Sequence, residues 1–440
     1  MKLFGGASGA RTAGGRAAAA AAVQSYAAPK QRNPLKALAI VLAVILVIEV
    51  CYFVAVFSKN SFITKWRNIY ISTAMETMSH QWLATAIIPE EIISDVMSQQ
   101  YQAQLEQEGL ASQWEKNENA SVVPSVGAEA EEVEMTVVDE RTPEEIAQEE
   151  FFEIFYEVDQ ASFAAYVDNH PEVLENGWAN LVINEAGLDD NGTEIQTIYG
   201  EQVLGIDYPN KILLIRVAGS GYQGVLAVGK DPSLLVHKPA STLGTEGQTI
   251  GEIAESYHGI LAMNASGFMD DNGGGDGGTI TGYAMCDGVE YGYSFVAAGE
   301  KRLELYEDNL FYIKDVGDPV GEGTTDAVEW HPAMIVDGKD VVGYGWDGLQ
   351  PRACIGQSDK YEILMLVVEG RQISRSVGIT LYDCVDILLQ HGCMQAMNLD
   401  GGASAMMWYR GEPIISCSNS NLISVGGRDL PTAWIYGTEE

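Results

Sequence analysis

Positive charge is scarce in this chain: 25 lysines and arginines stand against 62 aspartates and glutamates, a formal net charge of −37 over 440 residues. Such an acidic excess repels phosphate backbones, and no nucleic acid is expected as a partner. Metal-ligating residues are few and dispersed. The six histidines (His80, His170, His237, His258, His331, His391) are scattered, none standing beside a cysteine at ligand spacing, so no structural zinc or other bound metal is expected. The six cysteines include no Cys-x-x-Cys pair. Cys51 falls in an apolar run, which leaves Cys286, Cys354, Cys384, Cys393 and Cys417, an odd number read mostly as buried thiols. A disulfide from Cys384 or Cys393 to Cys417 stays open, since spacing alone cannot decide it. Apolar residues are not scarce: they make up 46% of the chain, so it is globular and not a disordered polyanion.

The few bases are unevenly placed. Lys2, Arg11, Arg16, Lys30, Arg32 and Lys36 precede Ala37 with no acid among them, in a Gly/Ala-rich stretch read as a disordered basic arm, residues 1–36. Residues 37–57 are apolar apart from Glu49, about 21 residues or roughly 31 Å as a helix, which fits a bilayer core and reads as a transmembrane helix. A cleaved signal peptide would need a shorter apolar region and a small-residue cleavage site. With the basic arm in front, the positive-inside rule puts the N-terminus in the cytoplasm and the rest outside, a single-pass protein of the cell membrane. Glu49 is read as protonated or reaching the interface.

Residues 58–115 carry apolar side chains near a 3.6-residue period, broken at Pro89, and read as a helical stalk with a possible role in self-association. Residues 116–141 turn acidic and read as a solvated linker. Thr142-Pro143-Glu144-Glu145 opens a capped helix, so residues 142–199 read as a helical lead-in to a body at 200–440. In that body, aliphatic runs at 212–217, 224–228, 335–337, 363–368 and 395–399 read as strands. Thr249 and Thr380 cap helices, the second running from Leu381 to Gln390 and closing at Gly392. The expected fold is α+β: a strand-rich mixed-sheet body with flanking helices, preceded by one transmembrane helix and a helical stalk. The order strand, capped helix, strand from Ile363 to Asp400 would bring Glu369 and Asp400 to the same end of a sheet.

Met397 to Ser404 is the most informative stretch, because an apolar strand runs into Asp400, Gly401, Gly402 and, after Ala403, Ser404. An aspartate at a strand's carboxyl end sits where ligands bind, and the glycine N–H groups with the Ser404 hydroxyl could cradle a phosphate. The same residues are also ordinary turn chemistry.

Around that loop the chain carries, in order, Met263-Asn264-Ala265-Ser266-Gly267-Phe268, Pro351-Arg352-Ala353-Cys354-Ile355-Gly356, Val368-Glu369-Gly370-Arg371, Ser376-Val377-Gly378-Ile379-Thr380-Leu381 and Gly426-Gly427-Arg428-Asp429-Leu430-Pro431. From about Gly200 to Tyr436 this set resembles the phosphodiester glycosidase family. Two positions depart from its pattern: Ala403 replaces a glycine, so that position needs no positive φ, and Cys354 stands where threonine or alanine is common. The resemblance implies an enzyme, a hydrolase cleaving a sugar, N-acetylglucosamine-like, from a sugar-1-phosphodiester in envelope glycan or exopolysaccharide metabolism.

Such chemistry needs a carboxylate near the anomeric carbon and fixed positive charge or N–H groups on the phosphate. The catalytic candidates are Asp400, to activate water or stabilise the developing cation, and Glu369, as second acid or as the group that orients Arg371. Arg352 and Arg371 are candidate phosphate clamps, since guanidinium grips phosphate in a bidentate fork; surface ion pairs are the plainer reading. Asn264, Thr380, Gly401, Gly402 and Ser404 complete the expected binding set. Asn264 also sits in a glycosylation sequon, set aside because a buried strand end is not glycosylated. No cofactor is expected; Asp270, Asp271 and Asp276 could hold a divalent cation, or their Gly-rich run is a lid. His331 is either a general acid or a packed histidine. The expected partners are a sugar-phosphate or phosphate-containing glycan and, through residues 37–57, the membrane. A non-catalytic polysaccharide-binding or assembly factor using the same pocket is the alternative. The acidic charge leaves a tension, because a polyanionic substrate would be repelled at long range.

Overall fold

The computed structural model describes residues 34–113, 141–185, 187, 192–270, 274–294 and 297–438. Most of the basic arm, most of the acidic linker and Asp271 lie outside the described residues. The chain divides into two compact units, residues 1–58 and 59–440. The first holds α1 (Pro34–Phe57), with a mean hydropathy of 3.0 over its most apolar window, long and apolar enough to cross a membrane.

The second unit opens with α2 (Ser61–Met75), α3 (Trp82–Thr85) and α4 (Glu90–Glu106). Asn60 caps α2, and Pro89 immediately precedes α4, the break expected there. These helices do not stand clear of the body as a stalk. Gln107 holds the backbone of Ala333 and Val341 through its amide, and Ser112 bonds Ile313 and Gln395, so the segment is laid on the strands. Beyond the linker come α5 (Pro143–Ile154) and α6 (Gln160–Asn169). The capping box at Thr142 is formed in both directions, a local device of about 1 kcal/mol.

The strands are, in chain order, β1 (Val182–Asn184), β2 (Gln202–Asp207), β3 (Ile212–Gly219), β4 (Tyr222–Gly229), β5 (Leu235–Pro239) and, after α7 (Ile250–Ser256), β6 (Gly259–Asn264). Next come β7 (Tyr283–Cys286), β8 (Val289–Gly292), β9 (Lys301–Tyr306), β10 (Phe311–Asp315), β11 (Thr324–Trp330), β12 (Ala333–Val336) and β13 (Lys339–Asp340). The last group is β14 (Arg352–Ser358), β15 (Ile363–Val368), α8 (Leu381–Gln390), β16 (Cys393–Asn398), β17 (Met407–Tyr409), β18 (Glu412–Pro413) and β19 (Thr432–Thr438).

They form a nine-stranded sheet, β1-β2-β3-β4-β15-β14-β16-β12-β13, and two five-stranded sheets, β10-β9-β11-β7-β8 and β18-β17-β6-β19-β5. Every described pairing is antiparallel, so the α+β body expected from the sequence is built of helices and three antiparallel sheets. The unit β15-α8-β16 nevertheless runs as expected, because β14 inserts between two strands that point the same way. α8 buries Leu381, Cys384, Val385 and Leu388, the i, i+3, i+4, i+7 face, against this sheet.

One core fills the space between the nine-stranded sheet and the other two, with Ala353, Met397, Met263, Met407 and Trp434. A second lies on the other face, where Phe151, Phe155 and Phe163 of α5 and α6 join Val203, Leu226 and Leu388. The boundary expected at residue 200 therefore runs through a single core, with β1 already an edge of the main sheet. All six cysteines are free thiols, which closes the question of a disulfide to Cys417.

Candidate functional site

Antiparallel pairing collects chemistry at one end of the main sheet. Arg352 opens β14 opposite Val368, the last residue of β15, and Cys354 faces Asn398, the last residue of β16. Glu369 and Asp400 thus leave the sheet at the end where Arg352 enters it. From there the loop Leu399–Met406 crosses to β17 in another sheet. Asn264, the last residue of β6, clamps that crossing: its Nδ2 donates to the Asp400 carbonyl at 2.7 Å and its Oδ1 accepts from the Met406 N–H at 3.2 Å. The fully buried amide is thereby a structural clasp and not a free ligand for sugar or phosphate, and its sequon is inaccessible.

Within the loop, Gly402 adopts φ +60°, which favours glycine, and a Cβ there would lie 3.1 Å from the Arg371 guanidinium nitrogens, a tight approach. Gly401 packs on Pro351, where a Cβ would meet the carbonyl oxygen at 2.7 Å. Ala403 is not in the left-handed region, which accounts for the tolerated departure there. The expected N–H cradle is partly closed, because Gly402 N–H donates to the Pro351 carbonyl and Ser404 N–H to that of Gly401. The Ser404 hydroxyl instead bonds the Asp400 carboxyl group.

Asp400 is the perturbed acid. Burial pushes it from 3.8 up to about 6, against the Ser404 hydrogen bond and the pull of Arg428 and Arg371, with Asp270 adding to the rise. The residue as a whole is half-buried; its carboxyl group is the enclosed part. Arg371, itself at φ +60°, has an exposed backbone and stem, while Nε and Nη2 reach in to Gln350 Oε1 at 3.1 and 2.8 Å. Arg428, which also acts on the Asp400 charge, is paired with Asp270 at 2.7 Å and lies over the Phe268 ring. The buried Cys417 thiol, pushed up by burial, points to the Ala403 carbonyl.

Several expected residues turn out to be engaged elsewhere. Arg352, buried, donates through Nη2 to Glu76 of the segment after α2 at 2.7 Å and to the Gly348 carbonyl. Arg352 Nε and Glu76 Oε1 are both buried without a hydrogen-bond partner. One turn earlier, Thr73 accepts from Leu349 N–H and, through its carbonyl, from Gln350 Nε2. The end of α2 therefore reaches Gln350, the residue that holds Arg371. Glu369 is paired with Arg375, not Arg371, and also accepts from Gln223 Nε2 and Ser416 N–H, which fills its carboxylate. The Thr380 hydroxyl donates to the Asp383 carboxylate and accepts from the Asp383 N–H, the work of a helix cap. Asp270 is taken by Arg428 and Gly275 N–H, Asp276 by Gly278 N–H, and Asp271 is not described. Among the described residues no cluster of acids, histidines and cysteines is arranged to hold a metal ion. His331 bonds Glu300 at 3.0 Å and stacks on Trp330.

Sequence reasoning missed Arg428, although its motif was in view, and missed Glu76, Gln350 and Arg375. The Gly-Gly before Arg428 and the arginine four residues after Arg371 were the available signals. Nothing local marks Glu76.

The family model of the phosphodiester glycosidases matches residues 257–436, from the strand carrying Asn264 through the last strand. Residues 257–436 are thus similar to the phosphodiester glycosidase family. The matched span takes in the Asp400 loop, Arg371 and Arg428, while β1–β5 and α2–α6 complete its sheets and cover them from outside that span. The chain is 28% identical over 188 residues to the SPbeta prophage-derived uncharacterized protein YomE of Bacillus subtilis (strain 168), 40% of this chain and 28% of that protein's length. It is also similar to the zebrafish N-acetylglucosamine-1-phosphodiester alpha-N-acetylglucosaminidase catalytic domain, auto-inhibited by its pro-peptide: TM-score 0.44, 14% identity, 52% of this chain and 82% of that one. A hypothetical protein from Synechocystis gives a TM-score of 0.37 at 14% identity, covering 55% and 65% of the two chains.

Proposed function

We propose that this chain is a membrane-anchored hydrolase that removes an N-acetylglucosamine-like sugar from a sugar-1-phosphodiester. The observation that carries this reading is Asp400, an enclosed carboxyl group raised to about 6, with Arg428 and Arg371 near enough to act on its charge. In the reaction the bond between the anomeric carbon and the phosphate oxygen breaks, its electrons leaving with a phosphate monoester. Asp400 in its ionised form activates water toward that carbon or stabilises the cation developing there. Because phosphate is a stable leaving anion, the step needs no strong acid, which agrees with a Glu369 fully occupied by Arg375, Gln223 and Ser416. Arg371 and Arg428 neutralise the phosphate as charge builds on it. Arg352, Asn264 and Glu369 position the loop and its neighbours without touching the reacting atoms. The basic arm ahead of α1 supports a cytoplasmic N-terminus with the catalytic body outside, acting on envelope glycans or exopolysaccharide.

The test is release of free sugar from N-acetylglucosamine-1-phosphodiesters by the full-length protein in detergent, beside Asp400→Asn and Arg371→Ala. Release that either substitution abolishes in a folded protein supports the reading. A second reading, a glycan-binding module without turnover, is favoured by the internal pairing of Arg352, Asn264 and Glu369. Saturable sugar-phosphate binding without release, unaffected by Asp400→Asn, would select it.

A further inference from the structure

Segments that carry or adjoin the site's charged residues expose large apolar side chains. The loop between β15 and α8 that carries Arg371 and Arg375 exposes Ile373 at 95%. The turn before Arg428 exposes Ile423 at 47% and Val425 at 58%, and Met269, next to Asp270, is exposed at 59%. Three separate segments that carry or adjoin Arg371, Arg428 and Asp270 thus each present a large apolar side chain to solvent. The first two of these segments, through Arg375 and Ile423, border a cavity of about 250 Å³ that is otherwise lined by Met406, Pro413, Ile414 and Ile415. It is smaller than a pocket for a whole drug-sized ligand and suits part of one. It adjoins the Asp400 loop through Cys417, whose thiol meets the Ala403 carbonyl.

A second feature bears on what this cavity takes. Only Ser58, Lys59 and Asn60 separate the apolar helix α1 from α2. The α2–α3 segment exposes Phe62, Trp66, Met78, Trp82 and Ile87 beside Lys65 and Arg67, the aromatic and basic composition of a membrane interface. It is this same segment that reaches the site, through Thr73 to Gln350 and through Glu76 to Arg352. The chain that leaves the membrane is therefore part of the site's own support.

The geometry points to a lipid-borne sugar-1-phosphodiester as the substrate: the group beyond the phosphate is a long aliphatic chain, held in the membrane that α1 spans, with its first carbons in the cavity between Arg375 and Ile423. This rests on the hydrolase reading and the membrane span proposed above. It also removes the charge tension, because a substrate with a single phosphate, delivered by lateral diffusion in the bilayer, needs no long-range attraction to a body with 19 bases against 61 acids after the apolar run.

The test uses the full-length protein and two water-compatible probes, methyl and decyl N-acetylglucosaminyl phosphate. Turnover is read on the parent and calorimetric affinity on Asp400→Asn. The expected result is a kcat/KM for the decyl compound at least about tenfold above that for the methyl compound, as burial of only two or so methylenes would give. The affinity of Asp400→Asn should show the same preference, and Ile423→Ser should lose most of it. Equal kcat/KM and equal affinity for the two probes would overturn the inference. If neither probe is cleaved, the hydrolase reading fails, and the affinity ratio still decides whether the cavity takes an aliphatic chain.

Discussion

Replacing Asp400 by asparagine should make the protein more stable while silencing it. A carboxyl group raised from 3.8 to about 6 is harder to ionise in the folded state than in the unfolded chain. The shift is about two units, and at about 1.4 kcal/mol per unit the ionised form costs the fold up to about 3 kcal/mol. The sign follows from proton binding: between pH 4 and pH 6 the folded state holds a proton that the unfolded chain has released, so stability is lost as pH rises through that window and is level above it. Because the residue is half-buried, solvent relaxes part of this cost, and about 1–2 kcal/mol should separate parent from variant by pH 8 beyond any offset at pH 4. Asparagine keeps the shape and the acceptor for Ser404 but cannot ionise. Guanidinium unfolding of the full-length parent and Asp400→Asn, followed by tryptophan fluorescence at both pH values, reads the difference directly. An offset that is the same at pH 4 and pH 8 would refute the reasoning, since it would mean that Asp400 ionises as freely in the fold as outside it.

The same group sets the pH dependence of turnover: kcat/KM should rise through about pH 6 and then level, because the ionised carboxylate does the work, whereas a fall above pH 6 would make Asp400 the acid. Glu76→Ala should cost about 3–5 kcal/mol of stability by stranding the buried Arg352, and the double variant with Arg352→Met should cost less than the two single changes summed, measured as a double-mutant cycle by denaturant unfolding. Asn264→Ala should lower kcat by about tenfold or more with little change in KM, because the amide clasps the Asp400 loop without touching substrate; steady-state kinetics would show the opposite split if the amide bound sugar.

What the sequence made legible was local. The capping boxes at Thr142 and Thr249 and the cap at Thr380 each lie within a few residues and formed as read. The β15-α8-β16 unit was visible too, and with it the joint exit of Glu369 and Asp400, because two strands joined by a helix return in the same direction whether or not a third strand slips between them. Which opposite charges pair was not legible. Glu369 has Arg371 two residues and Arg375 six residues downstream, yet the nearer arginine, with its left-handed backbone, turns to Gln350 and the farther one meets the carboxylate. Arg352 looked like a phosphate clamp because its partner, Glu76, lies in a helix that composition marks as a stalk. Antiparallel order was hidden for a related reason, since β14 pairs with strands on both sides through contacts that no local pattern encodes.

The account stands most directly on sugar release from an N-acetylglucosamine-1-phosphodiester by the full-length protein at pH 7.5. The expected result is release by the parent, with loss of at least about a hundredfold in kcat/KM for Asp400→Asn and for Arg371→Ala in proteins that still unfold cooperatively. Release that survives Asp400→Asn at the parental rate would contradict the account and move the chemistry away from this loop.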